Sequence, residues 1–122
     1  MILLDSNILI SASHSENYDL IEFIVSQECA TSVISYVEVF GYPSIKENER
    51  AIIDRIFSVI ELLPVDTQIA HLASEIRRQR KIKVPDALIG ATALVHNLTL
   101  ITNNEKDFSW IEGLTIINPL KK

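Results

Sequence analysis

Short apolar runs alternate with stretches of helical periodicity along the chain, and that alternation most narrows what it can fold into. MILL at 1–4, CATSV at 29–33, LLPV at 62–65, TLIT at 99–102 and LTII at 114–117 are strand-sized. Between them, Leu20, Ile21, Phe23, Ile24 and Val25 mark an amphipathic helix over 18–27. Ile52, Ile53, Ile56, Phe57 and Ile60 mark another over 46–62. A third carries Ile69, Ala70, Leu72, Ala73 and Ile76 behind a cap at Asp66 or Thr67, and a fourth runs from Asp86 to about His96. A short helix from Ser35 to about Phe40 stops at Gly41 and Pro43. Strands that alternate with helices form a parallel sheet covered on both faces. The expected fold is therefore α/β: one domain over residues 1–122, with a central parallel sheet of four to five strands and flanking helices.

With 122 residues and 48% hydrophobic content, the chain can bury one real core. Asp5 and Ser6 follow the opening apolar run too soon for a signal peptide, and no apolar stretch approaches the roughly 20 residues that cross a bilayer. The expected setting is the cytoplasm, without a membrane. A single cysteine, Cys29, excludes an internal disulfide and a multi-cysteine zinc site, and reads as a core residue. His14, His71 and His96 are scattered without metal-ligand or triad spacing. The net charge of −5 argues against a general nucleic-acid coat, but RRQRKIK at 77–83 concentrates Arg77, Arg78, Arg80, Lys81 and Lys83. That run reads either as a solvated helix end whose cations complement the dipole or as a patch for nucleic-acid phosphates.

In open parallel sheets, functional groups gather beyond the carboxyl ends of the strands. Four acids are expected at that edge. Asp5 closes the first strand, Glu38 lies in the first turn of a helix capped by Ser35, Asp86 opens a helix beside Pro85, and Asp107 follows the fourth strand. Taken singly, each has an ordinary reading. Ser35 and Glu38 fit a capping box, Asp86 suits a helix dipole, and Asp107 suits a turn. Asp5 is harder to explain that way, because it ends a buried strand abruptly.

Together they repel, by roughly 4 kcal/mol per pair at about 4 Å and an effective dielectric near 20. Capping does not justify such crowding, whereas a hard divalent cation does. An oxygen-only donor set suits Mg²⁺ or Mn²⁺ rather than zinc. Such an ion orients or ionises water and neutralises a phosphodiester during in-line attack, which is the chemistry of a nuclease. Ser6, Asn7, Thr102 and Asn104 either orient ligands and waters or serve turns and caps. Gly90, with Ala87, Ala91 and Ala93, reads as tight helix packing, because a mid-helix glycine costs about 1 kcal/mol unless packing offsets it.

LLDSNILI at 3–10, SVISYVEVFGYP at 32–43, KVPDALIGATAL at 83–94 and LTLITNNEKDF at 98–108 resemble, in order and spacing, the four motifs of PIN-domain ribonucleases. The resemblance is in particular to VapC-type toxins of bacterial toxin–antitoxin pairs, and it spans nearly the whole chain. It implies a PIN-like three-layer sandwich and a helical pair over 46–80 that contacts an antitoxin or a second copy. It further implies a Mg²⁺- or Mn²⁺-dependent endoribonuclease with an RNA substrate, a cognate antitoxin and a homodimeric state. By position, Asp5, Glu38 and Asp86 match the three most characteristic acids. The fourth place falls on Asn104 or Asp107, and Asp107 is the expected ligand with Asn104 as its helper. Ser6 stands where the family commonly has threonine, which keeps the hydroxyl.

Two other readings stay open: a non-catalytic PIN-like module that binds RNA or protein, and a phosphatase with Asp5 as nucleophile. The latter needs a D-x-D pair, and DSN puts Asn7 at its second place.

Overall fold

The computed structural model describes residues 1–14 and 17–120. Its elements run β1 (Ile2–Leu4), α1 (Ser6–Ala12), α2 (Tyr18–Val25), β2 (Cys29–Ser32), α3 (Val33–Phe40), α4 (Glu47–Phe57), β3 (Glu61–Leu63), α5 (Thr67–Gln79), α6 (Val84–His96), β4 (Thr99–Ile101), α7 (Glu105–Phe108) and β5 (Ile116–Ile117). The strands form one sheet in the order β3-β2-β1-β4-β5, with every pairing parallel. The α/β sandwich expected from the alternation is what forms.

Successive strand residues point to opposite faces, which divides the core in two. Leu3, Ala30, Leu63 and Leu100 face α5 and α6, while Leu4, Cys29 and Ile101 face α1, α2 and α4. Because both faces are covered, the central strand β1 reads as an unbroken apolar run rather than an alternating one. Cys29 is in the core as expected: its thiol donates to the Ile24 carbonyl at 3.3 Å, and burial pushes its pKa up, away from thiolate reactivity. Gly90 lets α6 lie close on α7. A Cβ there would stand 3.3 Å from Ile111 Cδ1 and 3.9 Å from two Phe108 ring carbons. Among the described residues no helix is long and apolar enough to cross a membrane.

One expectation is sharpened and two change. The strand is expected to turn into SNILI, and SNILI itself is the start of α1, entered directly from Asp5. Asp5 caps it by accepting from Ser6 N at 2.8 Å, and Ile8, Leu9 and Ala12 reach the core. The cap of α3 is Ser32, in extended conformation, whose Oγ accepts from Ile34 N at 3.0 Å. Ser35 therefore lies inside the helix and caps nothing. Residues 46–80 are not a helical pair, because β3 separates α4 from α5. Ile53 and Ile56 of α4 pack with Leu4, and Ile69, Ala73 and Ile76 of α5 with Leu3, on opposite faces of the sheet.

The strand order reverses beside β1. From β1 the chain turns onto one face, into α1, and from the neighbouring β4 it turns toward the other, where Phe108 of α7 is buried. A crevice opens at the carboxyl ends of two adjacent strands whose connections diverge. Asp5 and Thr102 are the first residues beyond those two ends.

Candidate active site

Asp5 is fixed before any ligand arrives. Its backbone N–H extends the sheet by donating to the Ile101 carbonyl at 3.0 Å, and the side chain is only 3% exposed. Oδ1 accepts from Ser6 N at 2.8 Å and Oδ2 from Thr102 Oγ1 at 2.7 Å. The threonine hydroxyl in turn accepts from Asn104 N at 3.0 Å. Burial pushes the Asp5 carboxyl above the usual range. The donors Thr102 and Ser6 oppose that, and the charges of Glu38 and Asp107 add to it.

Glu38 is exposed in the second turn of α3, too far from Ser32 to form the expected capping box. Its Oε1 accepts from the Ser6 hydroxyl at 2.6 Å, and Ser6 Oγ is also hydrogen-bonded to the buried Ser35 Oγ at 2.9 Å. One hydroxyl after the first aspartate thus links α1 to both polar residues of α3.

Asp86 is the third residue of α6, after Lys83 at the cap and Pro85 in the first turn. A dipole-favoured acid holds its proton less tightly than usual, yet Asp86 is pushed up to about 6. Burial is the main cause, followed by the charges of Asp5, Glu38 and Asp107, with Lys83 opposing. Burial and crowding together outweigh the dipole. Asp107, exposed on α7, accepts from Asn104 Nδ2 through Oδ2 at 2.8 Å, and its carbonyl accepts from Trp110 Nε1 at 2.8 Å.

Asp5, Glu38, Asp86 and Asp107 line a single cleft of about 170 Å³ together with Ser6, Asn7 and Asn104. Thr102 lies buried behind Asp5. A larger groove of about 530 Å³ on α5 and α6 has no acid in its lining, so chemistry rather than size picks out the site. Among the described residues, no three His, Cys, Asp or Glu side chains converge closely enough to hold a metal ion as they stand. The donor chemistry nevertheless fits a hard divalent cation: carboxylates, a hydroxyl and amides, with no sulfur or imidazole. Asp5 is locked on both oxygens, whereas Glu38 and Asp107 are exposed side chains, each held through one oxygen. The repulsion that raises Asp86 is what such a charge would relieve.

The basic run divides. Arg77, Lys81 and Lys83 line a basin of about 350 Å³ with Asp107, and this basin shares Lys83 and Asp107 with the acid cleft. Arg78 lines only the groove on α5 and α6, where Arg77 also contributes to the wall. The Arg80 guanidinium sits 5.1 Å from the centre of the Trp110 ring. Arg77 and Arg78 also occupy the last turn of α5, where cations complement the dipole. Sequence reasoning missed Trp110 and the inward role of Ser35. A lone tryptophan beyond a loop acid carries no periodicity to flag it.

The family model described as PIN domain matches residues 2–114. Ribonuclease VapC1 of Rickettsia felis is 34% identical over 85 residues, an alignment that takes in 62% of this chain and 63% of that protein. The chain thus spans somewhat under two thirds of that relative's length. A toxin–antitoxin complex from Klebsiella pneumoniae contains a chain 31% identical, with a TM-score of 0.79 and 100% of both chains covered. VapBC2 from Rickettsia felis, solved bound to a DNA fragment from their promoter, contains one 27% identical, with a TM-score of 0.78, covering 97% of this chain and 98% of that one.

Proposed function

This chain belongs to the PIN-domain family, and from that premise we propose that it is a divalent-metal-dependent endoribonuclease, the toxin of a VapBC-type toxin–antitoxin pair. The observation that carries the reading is the convergence of Asp5, Glu38, Asp86 and Asp107 on one cleft at the switch point of the sheet. The name of the Rickettsia felis relative and the complex from Klebsiella pneumoniae support the RNA substrate and a cognate antitoxin. The proposed state is a homodimer when free of that partner, acting on RNA in the cytoplasm.

Asp5, Glu38, Asp86 and Asp107 would hold Mg²⁺ or Mn²⁺. Bound there, the ion supplies a more acidic water and charge neutralisation on the phosphodiester. The protein's own part is positional. Ser6 N and Thr102 Oγ1 hold both Asp5 oxygens, so that carboxylate meets its ligand without reorganising. The Ser6 hydroxyl keeps Glu38 at the rim of the cleft. Asn104 does the same for Asp107. Lys83, on the same rim, offers a cation to the phosphate. Asn7, exposed at the mouth, is an adaptable amide toward water or RNA.

The test is cleavage of RNA by the purified protein. Turnover is expected with Mg²⁺ or Mn²⁺, and its loss is expected in EDTA and in Asp5→Asn. Undiminished cleavage in EDTA overturns the metal mechanism. Tight RNA binding without turnover at any divalent metal points to a non-catalytic module, and an acyl-phosphate on Asp5 points to a phosphatase. Growth arrest on expression, relieved by co-expressing an adjacent small reading frame, tests the toxin role.

A further inference from the structure

The run at 77–83 reads as five equivalent cations, but their surroundings give them separate jobs. Arg77 spends its Nε–H on the Ile82 carbonyl at 3.1 Å, which pins the segment joining α5 to α6. Arg80 is stacked over Trp110, and Trp110 donates from Nε1 to the carbonyl of Asp107 at 2.8 Å. The connecting segment is therefore tied at one end to α5 and at the other to the helix that carries Asp107. Lys81, between these ties, and Lys83, just beyond Ile82, are exposed and line one basin with Arg77.

That basin lies directly beside the acid cleft, because Lys83 and Asp107 line both. A polynucleotide cut in the cleft must leave it in two directions, and its phosphates cannot follow a wall of carboxylates. The cations of the basin give one of those directions a favourable path.

We infer that the basin lined by Arg77, Lys81 and Lys83 is a phosphate subsite, which takes a backbone phosphate of single-stranded RNA next to the scissile one. Arg80 and Trp110 are the clasp that holds it open. This rests on the ribonuclease reading for its substrate, but its test does not depend on turnover. The basin's volume of about 350 Å³ admits a phosphate with part of its sugar. Arg77, held by its bond to Ile82, loses less entropy on binding than a free side chain does.

The experiment measures binding of a short fluorescein-labelled single-stranded RNA of mixed sequence in EDTA, over a series of salt concentrations. Each cation that neutralises a phosphate contributes about 0.7 to the slope of log affinity against log salt. Lys81→Gln is expected to lower the slope by about that amount, and Lys81→Gln with Lys83→Gln by about twice it. Arg78→Gln, which removes the same charge from the other groove, is expected to keep the wild-type slope. An unchanged slope in Lys81→Gln overturns the subsite, as does an equal loss in Arg78→Gln or the absence of salt-dependent binding. Poly-glutamate that loses binding through Lys81→Gln while RNA does not would give the basin to a protein partner and overturn the proposal. Normal cleavage with an unchanged slope removes the subsite alone. The expected slopes without cleavage remove the enzymatic reading alone.

Discussion

Thr102 Oγ1 donates to Asp5 Oδ2 at 2.7 Å, joining two residues 97 positions apart in sequence. Each follows the last residue of its strand, and β1 and β4 are neighbours in register. The bond therefore closes the crevice from below and aims the remaining face of Asp5 outward. Of the four acids only Asp5 is locked on both oxygens, which makes it the fixed point to which the other three adjust.

Thr102→Val keeps the shape of the side chain and deletes that donor. A hydrogen bond to a buried charge contributes about 1.5–3 kcal/mol, so the variant should unfold in urea at a lower midpoint with an unchanged slope. Thr102→Ser should recover most of the loss. A midpoint equal to wild type in Thr102→Val would mean that water replaces the donor and that the bond does not hold the site.

Ser6 makes a prediction separable from stability. Ser6→Ala frees Glu38 and strips Ser35 of its partner, while Ser6→Thr keeps the hydroxyl. Losing a group that orients a metal ligand typically costs about 10–100-fold in metal affinity or activity. Ser6→Ala should show that loss in Mn²⁺ titrations of RNA cleavage, and Ser6→Thr should stay near wild type. A full-strength Ser6→Ala enzyme would show that Glu38 finds its place without help.

The pH dependence of stability in EDTA follows from Asp86. Its carboxyl has an ordinary value of 3.8 and is pushed up to about 6 in the fold. Between these values the folded chain binds more protons than the unfolded one, so stability falls as pH rises through that window and levels off above it. Asp5 is displaced the same way and steepens the trend. Thermal unfolding in EDTA should therefore give a lower midpoint at about pH 7, above the window, than at about pH 4.5, near its lower end. Mg²⁺ should raise the midpoint at the higher pH, and Asp86→Asn should flatten the profile. A midpoint that climbs with pH through this range in EDTA would contradict the crowding.

The strand runs were legible because burial leaves β1, β2 and β4 without a single charged residue. The acids were legible because Asp5 and Asp107 interrupt or follow those runs. What the linear pattern hid depends on neighbours distant in the chain. α1 and α7 span too few residues to show a helical period. Ser32 and Ser35 are the same residue type three positions apart, and only the place where β2 ends decides which one caps. Nor does periodicity tell which face a helix covers, so it offered nothing against the helical pair over 46–80 that the family resemblance implied. The division of the basic run was hidden for the same reason, since Arg80 is claimed by a tryptophan from another part of the chain.

The fourth acid is where residue type and geometry must be tested against each other. Asn104 and Asp107 both line the cleft, joined by a 2.8 Å hydrogen bond in which the amide donates to the carboxylate. That polarity makes Asp107 the charged member and Asn104 the residue that orients it. A metal ion in such a site contributes several kcal/mol of charge stabilisation, and losing a carboxylate that holds it forfeits part of that. At about 1.36 kcal/mol per tenfold, Asp107→Asn should reduce kcat/KM for RNA on the order of 100-fold or more and weaken Mn²⁺ binding. Asn104→Ala leaves the charge in place and only loosens it, so it should cost on the order of 10-fold. The two losses should not add in the double variant, because the amide acts through the carboxylate it holds. If Asn104→Ala were the more damaging change, the fourth position would belong to Asn104, and Asp107 would be a turn acid serving the basin beside it.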